Sequence, residues 1–380
     1  MDALILSCST GGGHNAAGAA VKEELERRGH QVTMLDPYTL AGDSLGKLVG
    51  NGYIKTAQKA PHFFGFLYKL GDGYRKLPVH SPVYAVNKAM FGTMRAYFQN
   101  HHFDVVIMPH LFPAQMLTHM KRKGVALPPQ IFIATDYVCI PFTEETDCDY
   151  YVIPGSDMAK DFIRRGIPSD KLVPAGIPVR RAFREPLSRE EAKRRLGLEA
   201  DKHYILLSGG SIGCGQIEKA VGKLSRYLKK HPQHHLIVIC GNNQALLTRL
   251  EKKFGKQGQI SLLASTNKMA AYLRACDVYL SKPGGLSSTE AAVMGIPLIH
   301  IAPIPGCEIR NMEYFAQRGM SLAVDTHWSQ LEDALVQLAQ PISAKTMQVR
   351  QRQYSNPRAT EEICDLAEKA ANIETSPGQG

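Results

Sequence analysis

The sequence predicts an α/β protein built from two doubly wound parallel sheets, and three observations carry that prediction. Short apolar runs alternate with helix-like segments along the chain, the pattern of a parallel sheet whose crossovers are helices. A glycine-rich turn follows the first apolar run of each half, Gly11-Gly12-Gly13 and Gly209-Gly210-Ser211-Ile212-Gly213. The 380 residues exceed what one ordinary core holds, so two domains are expected.

Taken in order, Leu4–Ser7 is a short apolar run and reads as a buried parallel strand. It leads through the glycine triplet into Ala16–Arg28, which is rich in Ala, Glu, Lys and Leu and reads as a helix. Such a turn lies at the carboxyl end of its strand, where open α/β sheets bind ligands, and glycine lets a ligand approach the backbone. His14 then stands on the first turn of the helix, at the mouth of the site. The spacing is neither G-x-G-x-x-G nor a P-loop, and an ordinary glycine turn is the plain alternative. Further strands are expected at Gln31–Leu35, Val105–Met108, Ile131–Ala134, Tyr150–Ile153 and Leu172–Pro174. The best boundary falls near Gly176–Arg181, giving domains 1–180 and 181–345. Beyond it, Ser188-Arg189-Glu190-Glu191 is an N-cap with an acidic first turn. The second half repeats the alternation, with strands at Tyr204–Leu207, Leu236–Ile239, Ile260–Leu263, Val278–Ser281 and Leu298–Ile301. Helices are expected at Gln216–Leu228, Asn243–Phe254, Met269–Arg274 and Ser287–Met294, and the small, polar tail 375–380 is expected to be disordered.

The strongest local signal is Ser281-Lys282-Pro283-Gly284-Gly285-Leu286-Ser287-Ser288-Thr289-Glu290. A strand ends in a Pro-Gly-Gly turn and hydroxyl residues open a helix, an arrangement whose free N–H groups and dipole suit a diphosphate. Ser287 and Ser288 can add hydroxyl donors, while Glu290, pointing away, suits a ribose diol. The alternative is a Ser287–Glu290 capping box and nothing more. After the next strand, Glu308 and Asn311 stand three apart, an acid and an amide suited to sugar hydroxyls.

Composition narrows the partners. No run of 18 apolar residues exists, and no secretory signal is visible. The eight cysteines include no C-x-x-C pair and read as reduced, mostly buried thiols of a cytosolic protein. Of the net charge of +10, a concentrated part falls in residues 46–102, with eight Lys/Arg against Asp72 alone and ten interleaved aromatics. That mixture suits an anionic membrane surface better than nucleic acid. The alternative is that the aromatics are core and the cations a solvated face.

Five motifs in register carry a resemblance: Ser-Thr-Gly-Gly-Gly-His at 9–14, Ala-Thr-Asp-Tyr at 134–137, Gly-Ile-Pro-Val at 176–179, Ser-Lys-Pro-Gly-Gly at 281–285 and Pro-Gly-x-Glu-x-x-Asn at 305–311. Together they resemble the glycolipid synthases of glycosyltransferase family 28, which include bacterial diacylglycerol glucosyltransferases and plant monogalactosyldiacylglycerol synthases. The resemblance runs from residue 1 to about 370. It implies the GT-B fold, two Rossmann-like domains facing across a cleft, with a C-terminal helix (346–374) crossing back to the first. It implies a UDP-sugar donor held mainly by the second domain and a diacylglycerol acceptor held by the first. By resemblance His14 is the general base, with Gly12, Gly13, His110 and Asp136 on the acceptor side. Gly210, Ser211, Gly284, Gly285, Ser287 and Ser288 surround the diphosphate, Glu290 holds the ribose, and Glu308 and Asn311 hold the donor sugar. One departure is Ala264, where relatives often carry a bulky aromatic.

The expected reaction is inverting hexosyl transfer, glucose before galactose, from a UDP-sugar to diacylglycerol. No cofactor or metal is required, because the helix start at Ser287 and Ser288 takes the metal's usual role. The lone D-x-D, Asp147-Cys148-Asp149, precedes its strand and belongs at the opposite end of the sheet. A neutral imidazole suits His14 as base. The enzyme is expected in the cytoplasm, peripherally bound to the inner face of the membrane through 46–102, and without a nucleic-acid partner. Rival readings are a UDP-sugar 2-epimerase, a transferase acting on another lipid-linked acceptor, and a non-catalytic UDP-sugar-binding module.

Overall fold

In the computed structural model, residues 1–8, 12–42, 80–324 and 328–372 are described. The chain divides into two compact units, Met1–Arg181 with Asn356–Gly380, and Ala182–Ser355.

Unit 1 is built on strands β1 (Asp2–Leu6), β2 (Gln31–Leu35), β3 (Val105–Met108), β4 (Gln130–Ile133), β5 (Tyr150–Val152) and β6 (Leu172–Val173). They form one sheet in the order β2-β1-β3-β4-β5-β6, every pair parallel. β3 and β4 are buried at every residue, as strands covered on both faces must be. Alternate side chains supply two separate cores. Leu4, Leu6, Val106, Met108 and Phe132 pack with Met116, Leu117 and Met120 of the helix Leu111–Arg122. Ala3, Ile5, Val105, Ile107 and Ile131 pack on the other face, with Val21 and Leu25 of the helix Gly12–Arg27 and Ile363 and Ala367 of the helix Ala359–Ala370.

The single C-terminal helix expected over 346–374 is two helices, Pro341–Tyr354 in unit 2 and Ala359–Ala370 in unit 1. Pro357 lies in the break; its ring clashes with a continuing helix and disfavours the helical conformation of the residue before it. The second helix is tied down within unit 1. Thr360 Oγ1 donates to Val179 O (2.8 Å) and Asn356 Nδ2 to Ala175 O (2.9 Å). Arg28 reaches Glu24, Asp365 and Glu368 together. The hydrogen bond from Arg27, helped by Arg28, holds the Glu24 carboxyl down at about 2, against the upward push of burial. A carboxyl depressed in the folded state stabilises above its ordinary value, 4.5, and loses that stabilisation as pH falls toward 2. In acid titrations followed by circular dichroism, wild type is therefore expected to lose stability across this window more steeply than Glu24→Gln. Parallel curves would show that the carboxylate contributes nothing.

Unit 2 holds β7 (His203–Ser208), β8 (His234–Ile239), β9 (Ile260–Leu263), β10 (Val278–Ser281), β11 (Leu298–His300) and β12 (Leu322–Ala323). They form a second parallel sheet, in the order β12-β11-β10-β7-β8-β9. The two-residue β12 was not expected, since it is too short to show periodicity. Ser188 caps the helix Arg189–Leu196, its Oγ accepting from Glu191 N at 3.1 Å. None of the eight cysteines is in a disulfide, and seven are buried.

Strand order places the sites. Neighbours run outward from β1 and β3 in one sheet, and from β7 and β10 in the other. Those two gaps are the switch points, where the loops at the carboxyl ends of the strands diverge and leave a crevice.

Candidate active site

At the first switch point, Ser7 Oγ bonds Asn15 Oδ1 (2.6 Å), tying the end of β1 to the first turn of the helix Gly12–Arg27. Gly12 and Gly13 open that helix; Gly11 lies outside the described residues. Half-buried His14 places Nδ1 2.8 Å from Pro109 O in the loop after β3. A carbonyl oxygen only accepts, so Nδ1 carries the proton and Nε2 is the basic nitrogen. Thr135 Oγ1, from the loop after β4, lies 2.9 Å from the same Nδ1. His110 is the N-cap of the helix Leu111–Arg122, and its Nδ1 accepts from Phe112 N at 3.1 Å. The two histidine rings meet edge to face, with centroids 4.4 Å apart.

Burial lowers the His14 pKa, outweighing the Asp136 carboxylate and the Pro109 hydrogen bond, which both raise it. Burial, then the nearness of His14, drives His110 well below the ordinary imidazole value. Both rings are therefore neutral near pH 7. His14 lines a mainly apolar pocket with Leu111, Phe132, Ala134, Val138 and Ile140, and Asp136 lines it too. The structure thus gathers Gly12, Gly13, His14, His110 and Asp136 at the ends of β1, β3 and β4. Thr135 joins them; the Ala-Thr-Asp-Tyr motif contains it, but only the fold brings it against His14.

The second switch point is tightly packed. Gly213 (φ +54°) leaves no room for a Cβ, which would lie 2.0 Å from Cys240 O, and a Cβ on Gly241 would lie 2.4 Å from Ser211 O. The loops after β7 and β8 are thereby interlocked, and Asn242 N donates to Ser211 O (2.8 Å) and Asn243 Nδ2 to Gly213 O (2.8 Å). Gly210 and the exposed Ser211 stand at the end of β7. The helix after β10 begins at Gly285, with Gly284 as its N-cap and no side chain capping it. That start is two residues earlier than expected, so Ser287 is inside the helix and the Ser287–Glu290 capping box does not form. Ser287 Oγ donates instead to Gly284 O (3.2 Å).

Ser288 is a correction. It is fully buried, and its Oγ lies 2.9 Å from His300 Nε2 on β11, with Ser321 Oγ 3.1 Å from the other ring nitrogen. It faces the core between helix and sheet rather than the strand ends, and burial keeps His300 neutral by pulling its pKa to about 3. Glu290 is half-buried on the following turn. Asn311 is buried and holds the Pro-Gly-Gly turn, Nδ2 donating to Pro283 O at 3.0 Å. Glu308 accepts from Ile304 N (2.9 Å) and forms an ion pair with Lys282. Burial would lower the Lys282 pKa, but Glu308 overrides it and the ammonium is raised. Lys282 Cε lies 3.0 Å from where a Cβ on Gly210 would be, so the side chain spans both glycine turns. Read in sequence only as part of its turn, Lys282 joins the candidate site by its position. Ala302, after β11, holds φ +45°, a strained value for alanine of the kind that collects at functional sites.

Asp147 and Asp149 lie at the opposite, amino end of the first sheet, paired with Lys121 and Lys171, and Asp149 accepts from Gln130 N. Most of segment 46–102 lies outside the described residues. In its described part, Tyr84 is buried and Phe91, Tyr97 and Phe98 pack on the core, whereas Lys88 and Arg95 are exposed. There the aromatics are core residues. No helix among the described residues is long and apolar enough to cross a membrane.

Residues 14–179 match the family model of monogalactosyldiacylglycerol synthase, and residues 204–369 match the glycosyltransferase family 28 C-terminal domain. The chain belongs to glycosyltransferase family 28. Among its curated relatives is the processive diacylglycerol beta-glucosyltransferase of Bacillus subtilis strain 168, 25% identical over 339 residues, 88% of this chain and 86% of that one. Family membership accounts for the GT-B fold. MurG of Acinetobacter baumannii superposes with a TM-score of 0.61 at 18% identity, covering 97% of this chain and 99% of its own. The UDP-GlcNAc 2-epimerase of Neisseria meningitidis, solved with UDP-GlcNAc bound, superposes at 0.63 and 12% identity, covering 97% and 100%. Fold alone therefore does not separate a transferase of this family from an epimerase.

Proposed function

We propose that this family 28 enzyme moves a hexose, glucose in preference to galactose, from a UDP-sugar to the hydroxyl of diacylglycerol with inversion. The observation that carries the reading is His14, whose Nδ1–H is fixed on Pro109 O and whose neutral Nε2 is left to take a proton. As the acceptor oxygen bonds to the anomeric carbon, its proton passes to Nε2. The bond from that carbon to the diphosphate oxygen breaks, and UDP leaves with the electron pair. The N-terminus at Gly285 and the Lys282 ammonium meet the charge that grows on the leaving group. Gly210, Ser211, Gly284 and Ser287 line the diphosphate, Glu290 takes the ribose, and Glu308 and Asn311 take the sugar. Gly12, Gly13, His110 and Asp136 shape the acceptor side. No metal enters the scheme.

The deciding experiment supplies diacylglycerol with UDP-glucose and UDP-galactose in parallel and identifies products by thin-layer and mass analysis. A β-glucosyl lipid as the main product is expected. No glycolipid from either donor, or an epimerised nucleotide sugar from donor alone, would overturn the proposal. The enzyme works at the cytoplasmic face of the membrane, with 46–102 as its bilayer contact. Liposome flotation should accordingly be stronger with anionic than with neutral lipid and should weaken as salt rises; equal binding to neutral liposomes removes the electrostatic part.

A further inference from the structure

Between Ile217 and Lys256 the chain holds nine Lys or Arg and two acids, so this stretch carries seven of the chain's ten net positive charges. Two helices present them. Ile217–Lys230 buries Ile217, Val221, Leu224 and Leu228. On its opposite face Lys219, Lys223, Arg226 and Lys230 follow at intervals of four, three and four residues, all exposed except the half-buried Lys223. Gln244–Phe254 buries Leu246, Leu247 and Leu250 and leaves Lys252, with Lys256 just beyond its end, exposed. The helices link β7 to β8 and β8 to β9, parallel neighbours in one direction, so right-handed crossovers put both on the same face of the sheet. Glu218 of the first pairs with Arg249 (3.2 Å) and Lys253 of the second. One of the two acids is thus neutralised between the helices.

We propose that this helix pair is a docking face for a bilayer of anionic phospholipid. Charge complementarity selects the occupant: six cations on the solvent side of the two helices, of which, among the described residues, only Lys230 has an acidic neighbour, Glu332 at 3.8 Å, with aliphatic stems that lie along a surface while their heads meet phosphates. The aromatics of the two helices, Tyr227 and Phe254, are buried and half-buried, so the face offers no exposed ring on which nucleic-acid bases would stack. The face is in unit 2, apart in sequence from 46–102, and adds a second membrane contact to the proposed function.

The test is flotation of the full chain with vesicles of phosphatidylcholine alone and with about a third phosphatidylglycerol, at about 0.15 M salt. Wild type is compared with the variant K219Q/K223Q/R226Q/K230Q. The variant is expected to bind the anionic vesicles at least about tenfold more weakly. Its melting temperature, and its activity on detergent-dispersed diacylglycerol, should stay at the wild-type level, since all four side chains lie outside the site. Wild-type flotation by the variant overturns this face alone, whereas failure of wild type to prefer anionic vesicles overturns this face and removes the electrostatic part of the 46–102 contact. Tighter binding to a random DNA duplex than to the vesicles, lost in the same variant, would assign the face to nucleic acid and overturn the proposal.

Discussion

His14→Ala is expected to lower kcat for glycolipid formation by about 10²- to 10⁴-fold, the usual worth of a positioned general base. KM for the UDP-sugar should stay close to wild type, because the proposed donor residues belong to the other switch point. The circular dichroism melt should also hold, since a half-buried ring is removed without stranding a buried charge. Full turnover in His14→Ala would remove the base assignment. The pH profile gives a second readout. Burial lowers the folded His14 pKa, so the imidazole stays neutral below its ordinary value of 6.5. The acid limb of kcat/KM should therefore fall below pH 6.5. Asp136 raises the His14 pKa, so Asp136→Asn should move that limb to still lower pH. By linkage, a histidine that protonates more readily when unfolded costs stability as pH falls, so the limb and the onset of unfolding must be measured separately.

Much of the scaffold was legible because each part is a local pattern. Continuous apolar runs marked strands buried on both faces, and the glycine turns marked the two switch points. Histidine beside glycine at a strand end was enough to single out His14. What was not legible depends on partners distant in sequence. Ser288 reads as a hydroxyl at a helix start, but the start is at Gly285, and one extra half-turn swings Ser288 beneath the helix onto His300. Nothing local announces a histidine twelve residues on as its partner. Lys282 and Glu308 are likewise brought together by the parallel pairing of β10 with β11 and not by any spacing. The break at Pro357 was visible, yet a helix expected across it from resemblance concealed that two units share the segment.

The Lys282–Glu308 pair carries the other large effect. Its side chains are only 14% and 9% exposed, so the two charges depend on each other more than on water. Removing one partner leaves the other buried without its counter-charge, at a cost of about 3–5 kcal/mol. Lys282→Met keeps the stem and strands the carboxylate, while Glu308→Leu removes the carboxylate and strands the ammonium between the two glycine turns. At roughly 3 °C per kcal/mol for a domain of this size, each single change should lower the melting temperature by about 10 °C. Lys282→Met combined with Glu308→Leu removes both charges together, and should recover much of that loss, because a desolvated pair is worth little over an apolar one. The donor should respond differently. The double variant regains stability but lacks the ammonium at the diphosphate turns, so its affinity for UDP stays weak by calorimetry. Simple additivity of the two single losses would show that the residues are not coupled. Recovery of stability together with wild-type UDP affinity would show that the pair is only a structural bridge, and would leave the diphosphate to the helix start at Gly285 and the two glycine turns.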